Sequence, residues 1–144
     1  QPALAEQPEA TTEQTKEVVA SFGAAFGSGD VETLLGLFAD DAEWRVEGDP
    51  RVPWVGSFVG PKRIGELLGI LAAEVEVLAM TPNTAAFDGE NAFLLNTMSL
   101  RMRGSGNTVD LHVVTHLEVV DGEITKYHVY EDTVALTNAY LSDG

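Results

Sequence analysis

Apolar residues recur at helical spacing in the first part of the chain and at alternating positions in the rest. Val18, Val19, Phe22 and Phe26 fall on one helical face and predict a first helix from about Thr12 to Ser28. Thr11 with Gln14 is a candidate capping box. Gly27-Ser28-Gly29 ends this helix, and Asp30 is placed to cap a second over residues 31–39, which presents Leu34, Leu35 and Phe38. The segment EWRVE (43–47) alternates as a short strand. Residues 48–60 form a loop rich in Gly and Pro, anchored by Trp54 and Phe58, and Pro61 opens a third helix carrying Ile64, Leu67, Leu68 and Leu71. Strands then dominate, over roughly 75–81, 84–88, 92–103, 108–120 and 123–132, before a short helix at 133–141. Helices first and a meander of strands afterwards predict an α+β fold, with helices packed on one face of an antiparallel sheet.

The last hairpin carries the chemistry. Its sequence, LHVVTHLEVVDGEITKYHVYEDT (111–133), holds all three histidines of the chain. Asp121-Gly122 signals a two-residue type I′ turn. Counting outward from that turn pairs Val120 with Glu123, His116 with Tyr127, Val114 with Val129 and His112 with Glu131. Side chains alternate along a strand, so His112, Val114, His116, Tyr127, Val129 and Glu131 are expected on one face. The opposite face is expected to carry Leu111, Val113, Thr115, Leu117, Val119, His128 and Tyr130. His112 and His116 would lie ~13 Å apart along their strand, too far to share one metal ion, so the group reads as an acid–base site with no metal. Its bland counterpart is a partly solvated polar patch with a modest His–Glu pair.

The preceding hairpin has two possible registers. A symmetric loop at Gly104-Ser105-Gly106-Asn107 pairs Arg101 with Asp110 and puts Thr97, Ser99 and Arg101 beside the histidines. A one-residue bulge puts Asn96, Met98, Leu100 and Met102 there instead, and this register is preferred because those side chains suit an enclosed cavity. No helix follows the Gly-x-Gly, which is a turn and not a nucleotide loop.

Composition narrows the partners. At 144 residues the chain is one domain by length, read as a disordered leader over 1–11 and a single domain over 12–144. A net charge of −15 argues against nucleic acid and anionic membranes, and the apolar runs are too short to span a bilayer. The chain has no cysteine, hence no disulfide framework and no thiol chemistry; this fits the cytoplasm and leaves export open. No metal or nucleotide signature implies a cofactor. The other eye-catching residues read as structural: Asp40-Asp41 as a helix-end cap or turn, Asp132 as an N-cap, Met98 and Met102 as gap fillers. A sheet apolar on both faces needs a cover on each, so the apolar set assigned to the outer face predicts a homodimer.

The order and spacing of several short motifs carry a resemblance. Gly29-Asp30 lies between two helices, followed by LFADDAEW (37–44), VPWVGSFVG (52–60), VVDGEI (119–124) and YEDT (130–133). In these the chain resembles the SnoaL-like, ketosteroid-isomerase-like branch of the nuclear transport factor 2-like superfamily. The resemblance implies a curved, cone-shaped antiparallel sheet wrapped around three N-terminal helices, a deep apolar pocket and frequent homodimers. It implies that the His116 face points into the pocket, with Phe22, Trp44, Val46, Trp54, Phe58, Met98, Leu100, Val114 and Val129 as its wall. Ketosteroid isomerases carry a tyrosine, an aspartate base and an aspartic acid where this chain has Phe22, Val46 and His116, so their enolisation machinery is not expected here. Limonene-type epoxide hydrolases carry an aspartate where this chain has Val129. SnoaL-like cyclases use a late-strand carboxylate, for which Glu131 is the nearest candidate.

The expected function is a small-molecule enzyme acting on a hydrophobic, oxygenated compound by acid–base isomerisation, cyclisation or hydration without a cofactor. His116 is the expected general acid/base, Tyr127 its partner, and His112 with Glu131 a second proton-handling pair. The alternatives are a non-catalytic binder of hydrophobic ligands and a protein-interaction domain.

Overall fold

A computed structural model describes residues 9–143. The first helix, α1 (Glu9–Ser28), starts ahead of the expected boundary, so Thr11 and Gln14 lie inside it and form no capping box. The leader expectation for residues 1–8 falls outside the described residues, while 9–11 are helical. Buried Thr15 donates from Oγ1 to the Gly89 carbonyl at 2.6 Å, and the Gly89 amide donates to Thr12 Oγ1 at 2.9 Å. These two bonds fasten α1 to a turn in the sheet.

Asp30 caps α2 (Val31–Leu35), accepting from the Thr33 amide at 3.1 Å and from its hydroxyl at 2.7 Å. This helix is shorter than the spacing predicts. The chain turns at Gly36 and enters β1 (Phe38–Val46), so Asp40 and Asp41 sit in a strand and cap no helix. A short strand, β2 (Gly56–Val59), lies inside the expected loop and pairs with β1, Phe58 opposite Trp44. Helix α3 (Pro61–Glu74) begins with Pro at its first position, where the missing N–H costs nothing. Strand β3 (Val75–Asp88) is continuous where the sequence suggested a break at 82–83, and its register to β4 shifts between Pro82 and Thr84. The remaining elements are β4 (Asn91–Met102), β5 (Thr108–Val120), β6 (Glu123–Tyr130) and α4 (Thr133–Leu141). Asp132 caps α4 by accepting from the Ala135 amide at 3.0 Å.

The strands form one six-stranded sheet in the order β2-β1-β6-β5-β4-β3. The fold is α+β, with a curved, unclosed sheet and, among the described residues, four helices. Two points differ from expectation. The β1–β6 pair is parallel, because helix α3 and four strands separate them in the chain. Among the described residues only α1 and α2 precede the sheet, with α3 after β2 and α4 after β6. Ala92, Leu100 and Met102 of β4, Leu111, Val113, Leu117 and Val119 of β5, and Ile124 and Val129 of β6 are buried, together with Ile64 and Leu67 of α3. Each large apolar side chain so buried contributes ~1.5–3 kcal/mol.

The turn at Asp121-Gly122 has positive φ at both residues, 51° and 80°, as a type I′ turn requires. Val120 pairs with Glu123 and Val119 with Ile124. Glu118 then pairs with Lys126, so Thr125 is one extra residue in β6. Thr125 Oγ1 holds this bulge by donating to the Glu118 side chain at 2.7 Å and lying 3.2 Å from its carbonyl. Beyond the bulge Leu117 faces Tyr127, His116 faces His128 and Thr115 faces Val129.

Candidate functional site

That single extra residue corrects the sequence reading of β5. Tyr127, Val129 and Glu131 keep their inward direction, but the β5 residues that join them are Val113 and Thr115. His112, His116 and Val114 turn to the outer face, and Leu111, Val113, Leu117 and Val119 turn inward. The alternation of β5 already held the signal, since its odd-numbered positions are the more apolar. Strand β4 pairs Asn96 with Val113 and Met98 with Leu111, the parity of the unbulged loop. Because the faces of β5 are also exchanged, Asn96 and Met98 nevertheless reach the cavity.

The cavity occupies about 430 Å³ between α1, α3 and the inner face of the sheet. Phe22, Trp44, Val46, Trp54, Met98 and Val129 line it, as do Asn96, Thr115, Tyr127 and Glu131. Phe58 does not. It is buried in the core under Arg63, whose guanidinium lies 5.1 Å from its ring centre. A second cavity of about 280 Å³ is lined by Leu100 together with residues of α1, α2, α3 and β3. Aromatic rings build one wall of the main cavity: Tyr127 lies 3.9 Å from Trp44 and 5.0 Å from Phe22, between ring centres. Trp44 Nε1 is buried without a hydrogen-bond partner, an omission that costs ~1–3 kcal/mol.

Glu131 follows the last residue of β6 and precedes the Asp132 cap, so the strand alternation and the cap together fix its direction. Its carboxylate has no hydrogen-bond or ion-pair partner among the described residues. It keeps some accessible surface through the cavity but stands deep among apolar groups, and this desolvation raises its pKa to about 7. Burial likewise raises Tyr127 to about 12; the Thr115 hydroxyl pulls the other way, and the nearby Glu131 charge adds to the rise. At neutral pH the site therefore presents a carboxyl group close to half ionised and a phenol that keeps its proton. The first suits proton transfer in either direction, and the second suits hydrogen-bond donation.

The histidines make a separate, outer arrangement. His116 stacks on Phe93 at 4.6 Å, its Nε2 lies 2.9 Å from Asn91 Oδ1, and desolvation, aided by Lys126 and His128, lowers its pKa. His128 Nε2 donates to Glu47 at 2.6 Å, and Tyr130 Oη lies 2.9 Å from His128 Nδ1. His112 is exposed opposite Thr97. Among the described residues, no three His, Asp or Glu side chains are grouped as a metal ion would require. No helix among them is long and apolar enough to cross a membrane.

Comparison with known proteins agrees with this architecture. A solved NTF2-like protein from Burkholderia xenovorans LB400 is similar at 28% identity, covering 89% of this chain and 96% of that one, with a TM-score of 0.81. An LEH-like epoxide hydrolase from M. tuberculosis shares the fold at 23% identity, covering 93% and 92%, TM-score 0.70. So does a hypothetical protein with a ketosteroid isomerase-like protein fold from Catenulispora acidiphila DSM 44928 in complex with trimethylamine, at 19% identity, covering 85% and 91%, TM-score 0.70. No curated protein sequence matches the chain significantly. The model of the SnoaL-like domain matches residues 18–127, most of the chain, ending at the cavity tyrosine. With that match, the open sheet and the cavity it encloses, the chain belongs to the SnoaL-like domain family of the NTF2-like superfamily.

Proposed function

We propose that the chain is an enzyme moving protons next to a carbonyl group in a hydrophobic, oxygenated small molecule. Isomerisation, cyclisation, dehydration and hydration all belong to this class. One observation carries the reading: Glu131, without a partner, faces an apolar cavity with its pKa raised to about 7. As a carboxylate it accepts the proton from the carbon beside the carbonyl; as a carboxylic acid it returns that proton elsewhere. Tyr127 keeps its proton and donates a hydrogen bond to the oxygen on which negative charge develops. Apolar walls hold the carbon skeleton. Every step uses groups of the chain itself. His116 and His112, expected in these roles, take no part because they face away from the cavity.

The test is hydrogen–deuterium exchange in a panel of ketones, followed by NMR. Exchange is expected to rise with pH to a plateau with its midpoint near the Glu131 value. It should fall by ~100-fold or more in Glu131→Gln, since positioned acid–base groups typically contribute that much. Ketones that bind without exchanging at any pH would make the cavity a binding site without turnover.

The outer face supports a second proposal, a homodimer. Phe93, Leu95, Val114 and Tyr130 are 37–45% exposed on neighbouring strands. A second copy laid on this face covers them by two-fold symmetry. Sedimentation at micromolar concentration should report a dimer, and Val114→Asp a monomer with intact secondary structure. A monomeric wild-type chain would overturn the proposal.

A further inference from the structure

The two cavities differ in chemistry in a way that narrows the substrate. The larger contains every polar side chain of the pair, including Asn96, Thr115, Tyr127 and Glu131. The smaller has no polar side chain at all in its lining. Phe26, Leu71 and Met98 line both and form the partition between them. Strand β4 runs along both, Asn96 in the polar part and Leu100 in the apolar part, a span of ~13 Å at strand spacing.

We propose that the cavities are two compartments of one binding site, taking an amphipathic substrate with a carbonyl-bearing head and a flexible, unbranched hydrocarbon tail. The head lies at Glu131 and Tyr127, so this assignment rests on the proposed reaction. The tail passes the partition and occupies the apolar compartment. A partition of three side chains excludes a rigid fused-ring skeleton of the same length, whereas an alkyl chain threads past it. Met98 is the mobile element, since its unbranched thioether adopts alternative rotamers at little cost. The apolar compartment opens beside Ala72 of α3 and Val77 of β3, both exposed, so either can be enlarged without disturbing the core.

A series of straight-chain methyl ketones tests this by titration calorimetry. Affinity is expected to rise about fourfold with each methylene that enters the apolar compartment, then to level off once it is full. Ala72→Phe and Val77→Phe should each abolish the rise for long ketones while leaving the shortest within about twofold of wild type. Glu131→Gln should leave the chain-length dependence intact. Affinity independent of chain length, or a rise unchanged in both phenylalanine variants, overturns the inference. The outcomes separate from those of the proposed reaction: deuterium exchange without chain-length dependence leaves the reaction standing alone, and chain-length dependence without exchange leaves only the binding site.

Discussion

Replacing Glu131 by glutamine probes the site with no substrate in hand. The two side chains are nearly isosteric, so packing changes little, but glutamine never ionises. In the folded chain burial raises the Glu131 pKa from 4.5 to about 7. That difference corresponds to about 3 kcal/mol, at ~1.4 kcal/mol per pKa unit. The folded state holds the proton more tightly than the unfolded chain does. The contribution of Glu131 to stability is therefore fully present below pH 4.5, declines as the pH rises, and is gone above pH 7. Urea unfolding of wild type and Glu131→Gln should thus diverge with pH. At pH 5 the two should agree within about 1 kcal/mol, and at pH 9 the variant should be more stable by about 3 kcal/mol. With a denaturant slope of ~1–3 kcal/mol per molar urea, the midpoint at pH 9 moves up by roughly 1–3 M. A difference that does not vary with pH, or a variant less stable at pH 9, refutes the claim that a desolvated, unpartnered carboxylate stands at this wall.

Three further outcomes are expected from the same structure. His116→Ala should leave ketone exchange within about twofold of wild type, because the ring lies outside the cavity; a tenfold fall in kcat/KM, ~1.4 kcal/mol, would contradict the assignment of faces. Thr15→Val should cost about 1–3 kcal/mol in urea unfolding, since it leaves the Gly89 carbonyl without its buried donor. Gly60→Ala should destabilise by roughly 1–2 kcal/mol, because Gly60 has φ of 88° and a Cβ there would stand 3.2 Å from the Asp40 carbonyl oxygen; equal stability would rule out that strain.

Much of the fold was legible because local signals agreed with the global arrangement. Pro61 opens α3, Asp30 and Asp132 cap their helices, and Asp121-Gly122 turns as a type I′ hairpin. Alternation puts Tyr127, Val129 and Glu131 on one face, and the family resemblance turns that face toward the cavity. What failed has a specific cause. Counting pairs from a turn assumes an unbroken ladder, and Thr125 breaks it by one residue, which exchanges the faces of β5 and takes His112 and His116 out of the site. Threonine at that place is an ordinary strand residue, so β6 itself carries no mark of the bulge, and the sign of it lies across the pair in the more apolar odd-numbered positions of β5. The register of β4, inferred with the opposite parity, compensated and left Met98 at the cavity. Strand β2 was hidden among Gly and Pro because it is four residues long and shows its pairing only against β1. The raised pKa of Glu131 needs the surrounding atoms, and no spacing of residues encodes it.

An open sheet leaves two margins, and they are not equally dangerous. The β2 margin is four residues, too short to template another chain. The β3 margin is fourteen, with Val77, Leu78 and Met80 exposed upon it. Pro82 lies midway and offers no N–H, and the shifts between Val77 and Ala79 and between Pro82 and Thr84 interrupt its straight run. An approaching strand finds no long uninterrupted stretch on which to zip. The kinked proline edge thus serves as a guard against fibrous stacking, and it lets an acidic chain keep a mouth wide enough for ligands without shutting its rim.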